Sequence, residues 1–302
     1  MSKFTRQMTE AEFDRLFPTD EACKAYLVAR RWPDGTVRCP RCGNDRVWTL
    51  KARPFHWQCN RCGQNESGRR EYRFSVTVGT IFENSNIGLR QWFKVIYMML
   101  TAKKGVAALE VHRVLGFGSY ETAHYLCMRV RAALADPGFR KLMGIVEVDE
   151  TYVGGKNKNR HWDKKQPGTG SAGKAIVMGA VERKGNVVAR VIANTDVATM
   201  QAFVREAVSE KVDLVATDEH SGYVGLEPDF AHESVRHSQH EYVRGLVHTQ
   251  TIDGFWSLLK RGIIGTYHNV SRKYLPLYVA EFSWRYNNRN NPDIFGGAVA
   301  RC

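Results

Sequence analysis

The sequence predicts an α/β protein in which a strand-rich domain fills the second half of the chain, behind a cysteine-knuckle ribbon and a small helical region. Three observations carry this. Two C-x-x-C pairs lie close together near the N-terminus. Helix-period apolar segments follow up to residue 134. From residue 145 onward, alternating strand patterns are interleaved with amphipathic helices.

In order along the chain, residues 1–35 read as helices with a break at Phe17-Pro18-Thr19-Asp20, where Thr19 or Asp20 can cap the helix carrying Cys23, Tyr26 and Leu27. Residues 36–76 form the ribbon. Cys39 and Cys42 sit in CPRCG, Cys59 and Cys62 in CNRCG, with 16 residues between the pairs. That falls within the spacing of tetrahedral zinc sites. Two residues between thiolates let both sulfurs reach one ion from a tight turn. Gly43 and Gly63 follow the pairs, where a turn needs positive φ. The segments VWTL and FHWQC between the knuckles read as short strands. A redox pair would account for one knuckle but not for its repetition. One structural zinc on the four cysteines is the expectation, with Cys23, Cys127 and Cys302 as ordinary thiols.

Residues 77–138 read as a helical region. One helix covers Leu89–Thr101. A second carries Val106, Leu109, Val111 and Leu115, and a third runs from Tyr120 to Leu134. Gly116-Phe117-Gly118-Ser119 turns between the last two, an arrangement open to either a helix-turn-helix or an ordinary helical hairpin. Asp136-Pro137-Gly138 marks the boundary.

Residues 139–302 form the last predicted domain. Ile145–Val153 alternates as a strand, and Ala175–Val181 and Val187–Ala193 are strands about a Lys184-Gly185-Asn186 turn. Thr199–Lys211 is a helix, and Val212–Thr217 is a short buried strand. Strand, hairpin, helix, strand is the opening order of a ribonuclease-H-like fold. Asp149 lies inside the first strand and Asp218 ends a later one. Carboxylates in apolar β-sequence are costly unless paired or bound to a cation. In the helix at Thr251–Arg261, Asp253 and Lys260 share a face with Trp256 or Ser257. Asp253 follows Asp218 by 35 residues, and Lys260 follows Asp253 by seven. Glu150 and Glu219 follow the two strand acids, and neighbours on a strand face opposite ways. Glu150 therefore reads as non-catalytic. His220, His237, His240 and His248 read as surface or hydrogen-bonded structural residues, and the late aromatics, Trp256 among them, as core.

The chain resembles a bacterial insertion-sequence DDE-type transposase with an N-terminal zinc ribbon and a ribonuclease-H-like catalytic domain. The phrases that carry the resemblance are FPTDEACKAYLVARRWPDGTVRCPRCG, GTIFENSNIGLRQWF, VEVDETYVGGK, TDEHSGY, EYVRG and HTQTIDGFWSLLKRGIIGTYHNVSRKYLPLYVAEFSWRYNNR. The resemblance implies that the protein binds the ends of its insertion sequence and catalyses Mg-dependent cleavage and strand transfer. Asp149, Asp218 and Asp253 would hold two Mg²⁺ or Mn²⁺ ions roughly 4 Å apart, with Asp149 shared between them. The third acid of such proteins is more usually Glu, and some carry Asn where Gln250 stands here. The carboxylate of Asp253 is the better divalent-ion ligand of the two. Lys260 would contact a DNA phosphate. The loop Gly154–Lys174 contains Lys156, Lys158, Arg160, Lys164, Lys165 and Lys174 against Asp163 alone, and is expected to lie along DNA. Implied partners are the terminal inverted repeats and target DNA, with a homodimer or larger assembly because two ends must be joined. A catalytically inactive zinc-ribbon DNA-binding protein, or a nuclease of the same fold, is the alternative.

Charge agrees with a nucleic-acid partner. Of the net +13, residues 1–140 carry +10 and residues 141–302 carry +3. A basic N-terminal half gains affinity by displacing counterions from phosphates. Apolar residues at 43% exclude a mainly disordered chain. The N-terminus MSKFTRQMTEAEFDRLF has no apolar signal core, so a cytoplasmic protein is expected, and the resemblance implies a bacterial, nucleoid-associated one.

Overall fold

The structure is a computed structural model that describes residues 7–62, 72–136, 138–155, 159, 161–164, 172–235, 239 and 243–302. The chain divides into two compact units. The first holds residues 1–134 with 290–302, the second residues 135–289.

The first unit opens with α1 (Glu10–Leu16) and α2 (Asp20–Arg31). Thr9 and Glu12 form a reciprocal capping box on α1. Thr19, not Asp20, caps α2 through the amide of Ala22. Asp20 is then free to accept from the backbone N–H of Arg90 at 2.8 Å, in the first turn of α3 (Leu89–Thr101). The ribbon follows α2 as three antiparallel strands, β1 (Val47–Thr49), β2 (His56–Cys59) and β3 (Arg73–Ser75). Its buried face stacks Trp57 on Phe74 and sets Trp32 edge-on against Trp57. Beyond α3, α4 (Ala108–Leu115) stops at Gly116, whose φ of 63° is a left-handed cap, and α5 (Tyr120–Leu134) begins four residues later.

The sequence reading assigns all of 139–302 to one domain. In the structure the final helix α9 (Ile294–Arg301) packs in the first unit instead. Phe295 joins Phe13, Phe17, Tyr26 and Phe93 in one aromatic cluster. Arg30 pairs with Asp293, which caps α9. The physical reason is this apolar ring set, which α1, α2 and α3 leave incomplete without Phe295.

The second unit is built on five strands in the order β6-β5-β4-β7-β8. They are β4 (Ile145–Val153), β5 (Ala175–Glu182), β6 (Val187–Ile192), β7 (Leu214–Thr217) and β8 (His232–Ser234). The β4–β5–β6 meander is antiparallel, while β7 and β8 run parallel to β4. Helix α6 (Val197–Ala207) makes the crossover between β6 and β7. This is the ribonuclease-H-like order. One face of the sheet, through Val146, Val148, Met178 and Ala180, buries Met200, Phe203 and Val204 of α6. The other, through Val153, Val177 and Val181, buries Ile252, Phe255, Trp256 and Leu259 of α7 (Gln250–Gly262) and Val279 and Phe282 of α8 (Leu275–Asn287). Helix α7 runs on into a π-helical turn, Ile263–Tyr267. Among the described residues no helix is long and apolar enough to cross a membrane.

Candidate functional site

In the ribbon, two chain turns bring the sulfurs of Cys39, Cys42, Cys59 and Cys62 within 4.8 Å of one another. Gly43 takes φ 69° directly after the first pair, as the knuckle requires. Gly63 lies outside the described residues. The Sγ atoms of Cys42 and Cys59 are 3.7 Å apart. Tetrahedral Zn–S bonds of about 2.3 Å imply S···S edges of about 3.8 Å, so the donor set fits one Zn²⁺. The backbone N–H groups of Arg61 and Cys62 each donate to Cys59 Sγ at 3.4 Å. Burial pushes the Cys59 thiol up, but those two amides, helped by the Cys39 and Cys42 thiols, bring it down to about 6. The Cys39 thiol is held above its ordinary range, chiefly by burial. Cys62 is pushed up to about 12, mainly by its hydrogen bond with Cys42. One thiolate forms readily and its neighbours resist, the imbalance a bound cation removes.

In the second unit β4 alternates sharply. Val146 and Val148 enter the α6 core, while Glu147 and Asp149 face α7. Asp149 accepts a 2.8 Å hydrogen bond from Trp256 Nε1. Its partner across the β4–β5 ladder is Gly179. A Cβ there would sit 2.7 Å from Trp256 Cη2, so only glycine lets the indole lie across β5 and reach the carboxylate. Burial is the main force raising the Asp149 carboxyl. Glu150 and Asp218 add to it, and Asp253 adds less than the Trp256 bond removes, for a value of about 7.

Asp218 follows β7, and its carboxylate accepts from the N–H of His220 at 3.0 Å. Asp253 lies in the first turn of α7 and is exposed, as are Ser257 and Lys260 farther along the helix. Gln250, the alternative third position, is exposed at the start of α7. The three aspartates thus interact electrostatically around Asp149, but they do not form a group as tight as the four cysteines, which are the metal-spaced cluster among the described residues. Their oxygens are the hard donors that suit Mg²⁺ or Mn²⁺.

Glu150 lies on the opposite face from Asp149, as strand alternation requires, and accepts from the Tyr223 hydroxyl at 3.0 Å. Burial and the charge of Asp218 nevertheless hold its carboxyl above the ordinary range. Of the histidines, His220 accepts from the N–H of Gly222, and His248 lies 3.2 Å from Glu147. His237 and His240 lie outside the described residues. So do Lys156, Lys158, Arg160 and Lys165 of the basic loop. Lys164 closes a 3-10 turn, Trp162–Lys164, with its side chain likewise outside the description.

Two functional neighbours escaped sequence reasoning. Trp256 is core, as its spacing says, yet also donates to Asp149. Glu147, wholly buried, accepts from the α7 backbone at Thr251 and Ile252. A signal existed for each: a glycine inside the strand VMGAVE, and a glutamate between two valines on the same strand face as Asp149.

Residues 141–287 match the ISXO2-like transposase domain, and residues 18–65 match the transposase zinc-ribbon domain. A Halobacterium salinarum protein, described as an uncharacterized protein in transposable element ISH50, is 27% identical over 286 residues, covering 90% of this chain and 92% of that one. An uncharacterized transposase-like protein of Haemophilus influenzae is 30% identical over 104 residues, covering 32% of this chain and 78% of its own. A pre-cleavage Mos1 transpososome aligns over 69% of this chain and 78% of the other at 12% identity and a TM-score of 0.28, which leaves the fold to be read from the strand order itself.

Proposed function

The chain belongs to the ISXO2-like transposase family, with that family's zinc ribbon, and we propose that it binds the terminal inverted repeats of its insertion sequence and performs Mg²⁺- or Mn²⁺-dependent strand cleavage and strand transfer. The observation that supports the reading is that Asp218 and Asp253 lie near enough to the partly buried Asp149 to help raise its carboxyl, within the stretch matched by the transposase domain. A carboxyl pushed up by burial and by other carboxylates is relieved when a cation joins them.

Asp149, Asp218 and Asp253 would hold the divalent ions. Bound divalent ions activate the entering oxygen of an in-line phosphoryl displacement and stabilise the leaving one. The protein's own part is orientation. The Trp256 N–H holds one oxygen of Asp149. The His220 N–H does the same for Asp218. Lys260 lies seven residues beyond Asp253, about 10 Å along the helix, at a distance suited to a DNA phosphate. Lys156, Lys158, Arg160, Lys164 and Lys165 would follow the DNA backbone. Cys39, Cys42, Cys59 and Cys62 hold the ribbon on one structural zinc, and the basic N-terminal half reads the DNA ends. Joining two ends calls for at least a dimer on DNA, in a cytoplasmic, nucleoid-associated setting.

The test is Asp149→Asn. Cleavage of a labelled DNA end should fall at least about a thousandfold, roughly 4 kcal/mol of barrier, while gel-shift affinity for that end stays at the wild-type value. Wild-type cleavage by this variant would overturn the assignment. Asp253→Asn should behave likewise and Gln250→Ala should not, and the reverse pattern would move the third ligand to position 250.

A further inference from the structure

We propose that Glu147 is a positioning residue whose carboxylate caps helix α7 from strand β4 and so sets the register of Asp253 against Asp149. Its consequence for DNA chemistry rests on the transposase reading above, but its geometry does not.

The first amides of a helix need acceptors. Thr249 occupies the N-cap of α7, yet its side chain makes no capping bond. Glu147 does that work from 104 residues away. It accepts from Thr251 N at 2.7 Å, Ile252 N at 3.1 Å and the Thr251 hydroxyl at 2.8 Å. Arg183, just past the end of β5, donates its Nε to the same carboxylate at 2.6 Å and an Nη2 to the carbonyl of His248 at 3.2 Å. One arginine thus holds both the cap and the chain entering the helix. A carboxylate this buried is tolerable because charge-assisted bonds and the positive end of the helix surround it.

Trp256 on Asp149 is the second anchor. Glu147 and Asp149 are two residues apart on a strand, about 6.7 Å. Ile252 and Trp256 are four apart on a helix, about 6 Å of rise. The two spacings are nearly equal, so both contacts form at once only in one register of α7 along β4. Asp253 falls between the two anchors. Its placement near Asp149 therefore follows the register that Glu147 and Trp256 set for α7.

The experiment uses full-length, zinc-loaded protein carrying Glu147→Gln, which keeps the shape and loses the charge. The indole N–H resonance of Trp256, assigned with Trp256→Phe, reports the second anchor directly. With Glu147→Gln it should move while the other six indole resonances stay in place. End cleavage should fall about 10- to 100-fold, as for other residues that orient a ligand, with the loss in kcat and DNA affinity unchanged. An unmoved Trp256 resonance, or a moved one with wild-type cleavage, would overturn the proposal. If Glu147→Gln unfolds, Glu147→Asp retains the charge but withdraws it by one methylene. A shifted Trp256 resonance in that folded variant supports the anchor, and an unshifted one overturns it. Wild-type protein that cuts no DNA would instead defeat the transposase chemistry, and the Trp256 resonance would still decide the register.

Discussion

The cysteine cluster and the aspartate cluster place opposite demands on the chain. The four thiols come from residues 39–62, and local turns alone bring their sulfurs within 4.8 Å. The three carboxylates come from a strand, a strand end and a helix spread over residues 149–253. They approach closely enough to raise Asp149, but not closely enough to form an equally tight set. Knuckle geometry is a backbone property that holds donors together at little cost. Carboxylates from three elements repel, and they stay near each other only because hydrogen bonds and buried side chains hold the elements. The cysteine set is therefore preassembled by sequence neighbours, whereas the proposed carboxylate site depends on the packing of the whole second unit.

The sharpest break between the two is zinc removal. Chelation, or Cys59→Ser, should unfold residues 36–76, since structural zinc sites of this kind contribute on the order of 10 kcal/mol to folding. Limited proteolysis should cut there first, with the 135–289 unit intact. Simultaneous unfolding of both units would show that they are not independent centres. A smaller effect is expected at Gly179. Gly179→Ala should cost about 1–3 kcal/mol in a denaturant melt by overpacking against Trp256, and should impair cleavage without lowering zinc content. A variant as stable as wild type would mean that the indole has room to move.

A third test concerns pH. The Asp149 carboxyl is raised from 3.8 to about 7 in the fold. The folded state thus favours the protonated form, and this contribution is fully present below pH about 4 and lost as pH rises to about 7. Without divalent ions, Asp149→Asn should melt higher than wild type at pH 8, and the gap should close as pH falls to 4. Saturating Mg²⁺ should narrow the gap at pH 8 by stabilising wild type alone. A gap independent of both pH and Mg²⁺ would remove Asp149 from the ion site.

Much of the architecture was legible in the sequence. Leu89–Thr101 and Tyr120–Leu134 stand at the predicted bounds, because long amphipathic runs with turn residues at both ends carry their own signal. The strands β3 and β8 were not read. Each has three residues, too few for a period to emerge. Helix α9 was also missed, and its home in the first unit is invisible locally because Phe295 packs on residues nearly 300 positions earlier. At the proposed site, residue type and spacing single out Asp149, Asp218 and Asp253 as candidates. Trp256 was read as core alone because apolar spacing does not say where an indole N–H points.

By itself the sequence determined the cysteine knuckles and most of the longer strands and helices, since each is written in residue type and short-range spacing. Only the tertiary structure decided that Glu147 caps a helix 104 residues away, that Gly179 makes room for Trp256, and that α9 completes the N-terminal aromatic cluster. These contacts depend on which surfaces meet once apolar faces are buried, and burial joins positions whose separation along the chain carries no signal.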